Sequence, residues 1–332
     1  MIRNAGWWSV LAMGCVVGDP DVERPDDAVA ASVTPTVPLY GGTLTATSER
    51  VIVADPSVDR VFVVPASLTS PHATVQLPDG SEPFRVVVPA DDPDRAFVVL
   101  RGTGRLVAID LETAEVDASV PVCVEPRGVD ADAELVAVAC ASGELVVLDR
   151  TLEPVGQVIV QDDLRDVVLD DDVVWLSTFR RASVLRMDRE TWTVTDTVVP
   201  DFSETQQPFA EPRVAWRMRP LLTGDGVMLL HQGATDQPID IEPEPGEPRP
   251  YGGGGLDCPE EDAVSTTHVT TVTRDGAQTS GAIAGPGPRY DFAIGEELGR
   301  RSVFVPNGKL TTSFGGFERG LVLSVFARTI AT

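Results

Sequence analysis

The residues with the most regular chemistry in this chain are arginines. Arg127, Arg165 and Arg213 stand in equivalent settings: Glu125-Pro126-Arg127-Gly128-Val129, Asp163-Leu164-Arg165-Asp166-Val167 and Glu211-Pro212-Arg213-Val214-Ala215. Arg85 lies one position off in Glu82-Pro83-Phe84-Arg85-Val86, and Pro288-Arg289-Tyr290-Asp291 supplies a further copy. A guanidinium offers a planar fork that matches carboxylate and phosphate oxygens. If these positions surround one opening, Arg85, Arg127, Arg165, Arg213 and Arg289 form an anion-binding ring. The structural alternative is that each pairs with an acid of its own or the next repeat, such as Glu125 or Asp166.

The other chemistry-bearing residues are sparser. His72, His231 and His268 lack neighbours at metal-ligand spacing, and a histidine such as His231, following an apolar run, reads as a strand-ending hydrogen-bond group. Asp170-Asp171-Asp172 and Asp91-Asp92-Pro93-Asp94 lack the alternating order that wraps oxygens around calcium, and read as solvated turns. Gly252 to Gly255 lacks the Lys-Ser/Thr of a phosphate loop, and no Gly-x-Ser-x-Gly occurs. No metal or other cofactor is expected. Cys123 and Cys140 are different. If the chain turns around Asp132 to Glu134, antiparallel pairing sets Cys140 opposite Pro126, and a disulfide fits. Two buried free thiols are the alternative, and Cys258 is left odd.

The elements that would position these residues repeat. Ala96 to Asp110, Leu135 to Asp149 and Val173 to Asp188 each read as strand, tight polar turn, strand and closing Asp, a hairpin signature. The closing residues Asp110, Asp149 and Asp188 recur at intervals of 39 residues. An arginine-bearing run precedes each hairpin, and Val116 to Val122, Pro154 to Val160 and Val194 to Val199 follow. Four strands in about 40 residues is the repeat of a propeller blade. In Leu145-Val146-Val147-Leu148 both parities are apolar, so both sheet faces should be covered, as between neighbouring blades. A right-handed β-solenoid is the rival, although its coils repeat at shorter periods. The expectation is an all-β propeller of six or seven four-stranded blades over residues 41–332, the last one incomplete, with a long loop inserted at 234–262.

Composition agrees. Apolar residues make up 42% and aromatic ones only 6%; Val, stiff at χ1 and suited to sheets, dominates the apolar set. The formal charge of −25, from 51 acidic against 26 basic residues, disfavours nucleic-acid binding.

At the start, Met1-Ile2-Arg3-Asn4 and the apolar Ala5 to Met13 suit an export signal and are too short to span a bilayer. Leu11-Ala12-Met13-Gly14-Cys15 resembles the bacterial lipobox, with Ala12 where a larger aliphatic residue is usual. An ordinary signal peptide with a chance Cys is the alternative. The resemblance implies cleavage after residue 14 and a diacylglycerol on Cys15. Residues 15–40, rich in Pro, Asp, Ala and Thr, then form a flexible tether. Val16 rather than Asp after Cys15 favours the outer membrane.

The recurring Pro-Arg-Gly-Val start, the strand pair and the closing Leu-Asp are similar to the YVTN-type, lactonase-like propeller repeats of bacterial envelope proteins, over residues 41–232. Similar propellers precede di-haem cytochrome c peroxidase-like modules; this chain has no Cys-x-x-Cys-His haem site. The resemblance implies a monomeric envelope lipoprotein, more readily a non-enzymatic platform than an enzyme, that docks a protein or a small anionic ligand on a propeller face. An accessory role beside a cytochrome partner and a lactonase-type hydrolase with its site at the channel mouth are the alternatives.

Overall fold

The computed structural model describes residues 43–67, 72–203, 210–235, 265–283, 290–297, 300–304 and 322–323. The leader and tether, Cys15, Cys258, Arg289 and residues 236–262 of the insertion lie outside them. Among these residues every regular element is a strand. The first blade comprises β1 (Leu44–Ala46), β2 (Arg50–Asp55), β3 (Arg60–Pro65) and β4 (Ala73–Gln76). The second comprises β5 (Pro83–Val87), β6 (Arg95–Leu100), β7 (Arg105–Asp110) and β8 (Glu115–Pro121). The third holds β9 (Pro126–Ala131), β10 (Leu135–Cys140), β11 (Glu144–Asp149) and β12 (Pro154–Ile159). The fourth holds β13 (Leu164–Asp170), β14 (Val173–Thr178), β15 (Val184–Asp188) and β16 (Thr193–Val198). The fifth holds β17 (Ala210–Pro220), β18 (Gly226–Thr235), β19 (Ser265–Thr273) and β20 (Gln278–Ile283). β21 (Ala293–Glu297), β22 (Arg300–Phe304) and β23 (Val322–Leu323) make a three-stranded sheet.

The expected six or seven four-stranded blades are therefore corrected to five, with one smaller sheet, among the described residues. The cause is the insertion. It sits inside the β18–β19 hairpin, where Ala234 pairs directly with Ser265, so residues 210–283 build one blade and not most of two.

Side-chain alternation explains why both parities of the inner strands are apolar. Ala96 and Val98 of β6 pack with Ile52, Val61 and Val63 of the first blade. Their neighbours Phe97 and Val99 pack with Val136, Val138 and Leu148 of the third. Ala137, Leu145 and Val147 turn the other way, onto Leu164, Val174 and Leu185 of the fourth blade. The second to fifth blades are thus sheets between two cores. The last strands β8, β12 and β16 are mostly exposed and rim the propeller.

The repeated polar residues have structural work. The Oδ1 of Asp110 accepts the backbone N–H groups of Glu112 and Thr113, each at 2.8 Å. Asp149 accepts from Thr151 N (2.8 Å) and Glu153 N (2.9 Å), and Asp188 from Thr191 N (2.7 Å). The bonds from Thr113, from Thr151 and from Thr191 respectively hold these carboxyls below the usual range. The closing Asp of the repeat is therefore a turn cap. The Arg after it staples blades: Arg150 pairs with Asp91 and Asp92 of the second blade, and Arg189 with Asp132 of the third. Arg274, at the same place in the fifth, pairs with Asp170 and Asp172 of the fourth. The acidic runs at 91–94 and 170–172 thus belong to interblade ion pairs.

Candidate functional site: the arginine cluster at the channel mouth

The first strands of successive blades, β5, β9, β13 and β17, lie side by side at the propeller's centre. Their starting residues consequently converge. Arg85 of the second blade is fully buried and reaches Asp166 of the fourth, Nε to Oδ1 at 2.7 Å and Nη2 to Oδ2 at 3.0 Å. Its Nη2 also donates to the Trp216 carbonyl of the fifth blade at 2.7 Å. Asp166 accepts the Met218 amide at 2.8 Å and lies 3.5 Å from Arg217 Nη1. Arg217 and Arg219 in turn approach Asp291 at 3.7 and 3.5 Å. The channel centre is filled by paired charge linking the second, fourth and fifth blades to the segment before β21.

At the end where these strands begin, guanidinium groups alternate with aromatic rings. Arg85 and Arg165 lie 5.1 and 5.0 Å from the centroid of Phe84. Arg165 and Arg127 lie 4.8 and 5.3 Å from that of Phe179. Ring faces carry negative quadrupole density that attracts such cations. Phe179 meets Trp216 edge-on, and Trp216 meets Tyr290 likewise. Arg127 is neutralised by Glu125 at 3.0 Å and Asp163 at 2.7 Å. Arg165, only 6% exposed, has no hydrogen bond or ion pair from its guanidinium to any described residue, and its Nε is buried. Burial, then the nearby Arg85 charge, pushes its pKa down to about 9.

The structure therefore brings Arg85, Arg127 and Arg165 together and leaves Arg213 apart. Arg213 is exposed and held by Glu211 of its own strand. A bulge explains this. The β17–β18 register slips on either side of Ala215, and Val214 takes a φ of 36°, so Arg217 points into the centre instead. Arg217 and Asp291 are the central residues that the repeat pattern missed; the irregular β17 hid Arg217, and Asp291 lies in the segment before β21.

The cysteines and histidines are also placed. Cys140 pairs with Pro126 in the β9–β10 register and is bonded to Cys123, with Cα atoms 6.4 Å apart. His72 meets the Phe62 ring edge to face. His231 lies within β18, not at its end, and faces His268 of β19 across the pair. Both stack on Phe202, at 5.6 and 4.1 Å. His231 Nδ1–H points to the Gln232 carbonyl, so Nε2 accepts from the Thr270 hydroxyl at 2.8 Å. His268 Nε2 meets Thr266 Oγ1 at 2.7 Å. Burial lowers these pKa values to about 3 and about 4, keeping both rings neutral. Among the described residues no three His, Cys, Asp or Glu gather as a metal site. A cleft of about 260 Å³ lies away from the channel, lined by Asp172, Arg186, Thr195 and Arg274, where Arg274 already carries its two carboxylates.

Four-stranded antiparallel blades ranged around a central set of first strands define a β-propeller. Solved structures agree. The hydrazine synthase of Kuenenia stuttgartiensis matches with a TM-score of 0.62 and 17% identity, over 84% of this chain and 77% of that one. A streptogramin B lyase matches with a TM-score of 0.50 and 9% identity, over 81% and 92% respectively. At such identities the likeness is one of fold. No protein-family model matches the sequence, and no curated protein matches it.

Proposed function

We propose that this chain is an envelope-anchored lipoprotein of the YVTN-type propeller kind, serving as a binding scaffold for a protein or a small anion. Cys15 carries the lipid, residues 16–40 are the tether, and the propeller's loop faces do the docking. The observation that carries this reading is the plugged centre. Arg85, Asp166 and Arg217 spend their charge on one another across three blades, which fixes the frame and leaves the faces for recognition. A rigid frame under variable loops suits docking, while fold alone decides no activity. The Cys123–Cys140 bond is in keeping with an oxidising compartment outside the cytoplasm.

The test is intact mass and membrane fractionation of the chain expressed with its own leader in a bacterial envelope, beside a Cys15→Ala variant. The expected result is a diacylglycerol increment and membrane recovery, both lost in the variant. An unmodified, full-length chain recovered in the soluble fraction would defeat the anchored reading.

A further inference from the structure

Resting on the binding-scaffold reading, and naming what is bound, we propose that Arg165 anchors a small organic monocarboxylate at the channel mouth. The carboxylate sits on the guanidinium fork, and the apolar body lies against Phe179, Trp216 and Tyr290.

Three observations converge. The first is the clamp. Arg165 is held between the rings of Phe84 and Phe179, so its plane is set before any ligand arrives. The second is the missing partner. Among the clustered arginines, Arg85 is taken by Asp166 and Arg127 by Glu125 and Asp163, whereas the Arg165 guanidinium pairs with no described residue. Asp166 acts on Arg165 only from a distance, so the desolvated guanidinium keeps unmade hydrogen bonds that are costly, and an incoming carboxylate lowers that cost. The third is a second idle donor. Trp216 Nε1 is buried with no hydrogen-bond partner, and its ring meets Phe179 at 5.7 Å and Tyr290 at 4.7 Å between centroids. These three rings are half-buried and meet edge to face, offering an apolar aromatic wall beside the cation.

Charge count selects the ligand class. Among the described residues of the cluster, Arg85, Arg127, Arg165, Arg217 and Arg219 face Glu125, Asp163, Asp166 and Asp291, five positive charges against four negative ones. A monoanion completes the balance, while a phosphate dianion would add unpaired negative charge in a protein already at −25. A carboxylate also fits the fork with two parallel hydrogen bonds.

The experiment is titration calorimetry on the full chain with benzoate, acetate and inorganic phosphate as probes, together with thermal unfolding. Benzoate is expected to bind saturably, and acetate and phosphate more weakly, because one lacks a ring and the other carries excess charge. Arg165→Met should weaken benzoate binding by roughly tenfold or more, the loss of a charged bidentate contact. Its unfolding temperature should not fall below that of the wild type, since an unpaired buried charge is removed. If Arg165→Met does not fold, Arg165→Lys serves. It keeps the charge but not the fork, and weaker benzoate binding is again expected. The proposal is overturned by the absence of saturable benzoate binding to the wild type, by unchanged affinity in the folded variant, or by tighter binding of phosphate. The assay is indifferent to lipidation. An unlipidated Cys15 therefore sinks the envelope reading alone, and a silent titration sinks the carboxylate site alone.

Discussion

Asp166 is surrounded by Arg85 and Arg217 and by the Met218 amide, and it is almost wholly buried. Burial by itself would raise its pKa; Arg85 and then Arg217 outweigh that and hold it below the usual carboxylate range. Asp166→Asn keeps the shape and removes the counter-charge of two buried guanidinium groups. Removing one partner of a buried pair costs about 3–5 kcal/mol. The urea midpoint should fall accordingly at unchanged slope, and a shift worth under about 1 kcal/mol would show that the centre tolerates unpaired arginine. The two buried histidines make a different prediction. Their folded pKa values, about 3 and about 4, lie below an unfolded value near 6.5, so below pH 6.5 the unfolded chain binds more protons. Their contribution is complete above pH 6.5 and is lost as pH falls toward 4. At pH 5 the loss is about 2 kcal/mol per histidine. Urea midpoints between pH 7 and 4 should trace this limb, and His231→Gln with His268→Gln should flatten it. The sequence offered Asp166 as an ion-pair acid of its own or the next repeat, but neither its partner two blades away nor the facing histidines were legible. Asp166 lies 81 residues from Arg85, and the His231–His268 pairing spans an insertion that hides the register.

The glycine of the Pro-Arg-Gly-Val start acquires its meaning at the level of paired elements. A Cβ on Gly128 would stand 2.8 Å from both the Arg165 carbonyl oxygen and the Asp166 Cα of the neighbouring blade. β9 and β13 approach so closely that the Leu169 amide donates to Asp130 across the gap at 2.8 Å. The obstacle is backbone, which cannot swing aside as a side chain would. Gly128→Ala should therefore cost about 1–3 kcal/mol through strain, although alanine is the better residue in isolation. Thermal unfolding measures it, and a neutral result would mean that the first strands can slide apart. Much at this scale was readable in advance. Leu145-Val146-Val147-Leu148 is apolar at both parities because Leu145 and Val147 face the fourth blade while Val146 and Leu148 face the second. The Cys140–Pro126 pairing followed from one turn at Asp132, whose carboxylate accepts the Glu134 and Leu135 amides. What the repeat concealed was β17. The bulge at Val214 breaks the period, so a motif matched residue by residue placed Arg213 where Arg217 stands.

Across the whole molecule, the count of blades depended on one decision that a period of 39 residues cannot make: whether residues 236–264 lie between blades or within one. Cross-strand register decides it. Ala234 opposes Ser265, and the pairing runs on without a break to Gly226 opposite Thr273. Two residues directly opposed in an antiparallel pair are close enough to be joined by a two-residue turn. Exchanging residues 235–264 for Asn-Gly should thus leave β18 and β19 paired and the fifth blade intact. Closing a shorter loop costs less chain entropy, since the cost grows with the logarithm of loop length. The shortened chain is expected to unfold in one cooperative transition at a temperature equal to or above that of the parent. His231 and His268 should keep their depressed titration, because their setting comes from Phe202, Thr266 and Thr270 and not from the insertion. A lower unfolding temperature with loss of cooperativity would mean that the insertion contributes packing to the fifth blade, and that the propeller is held together by more than its interblade cores.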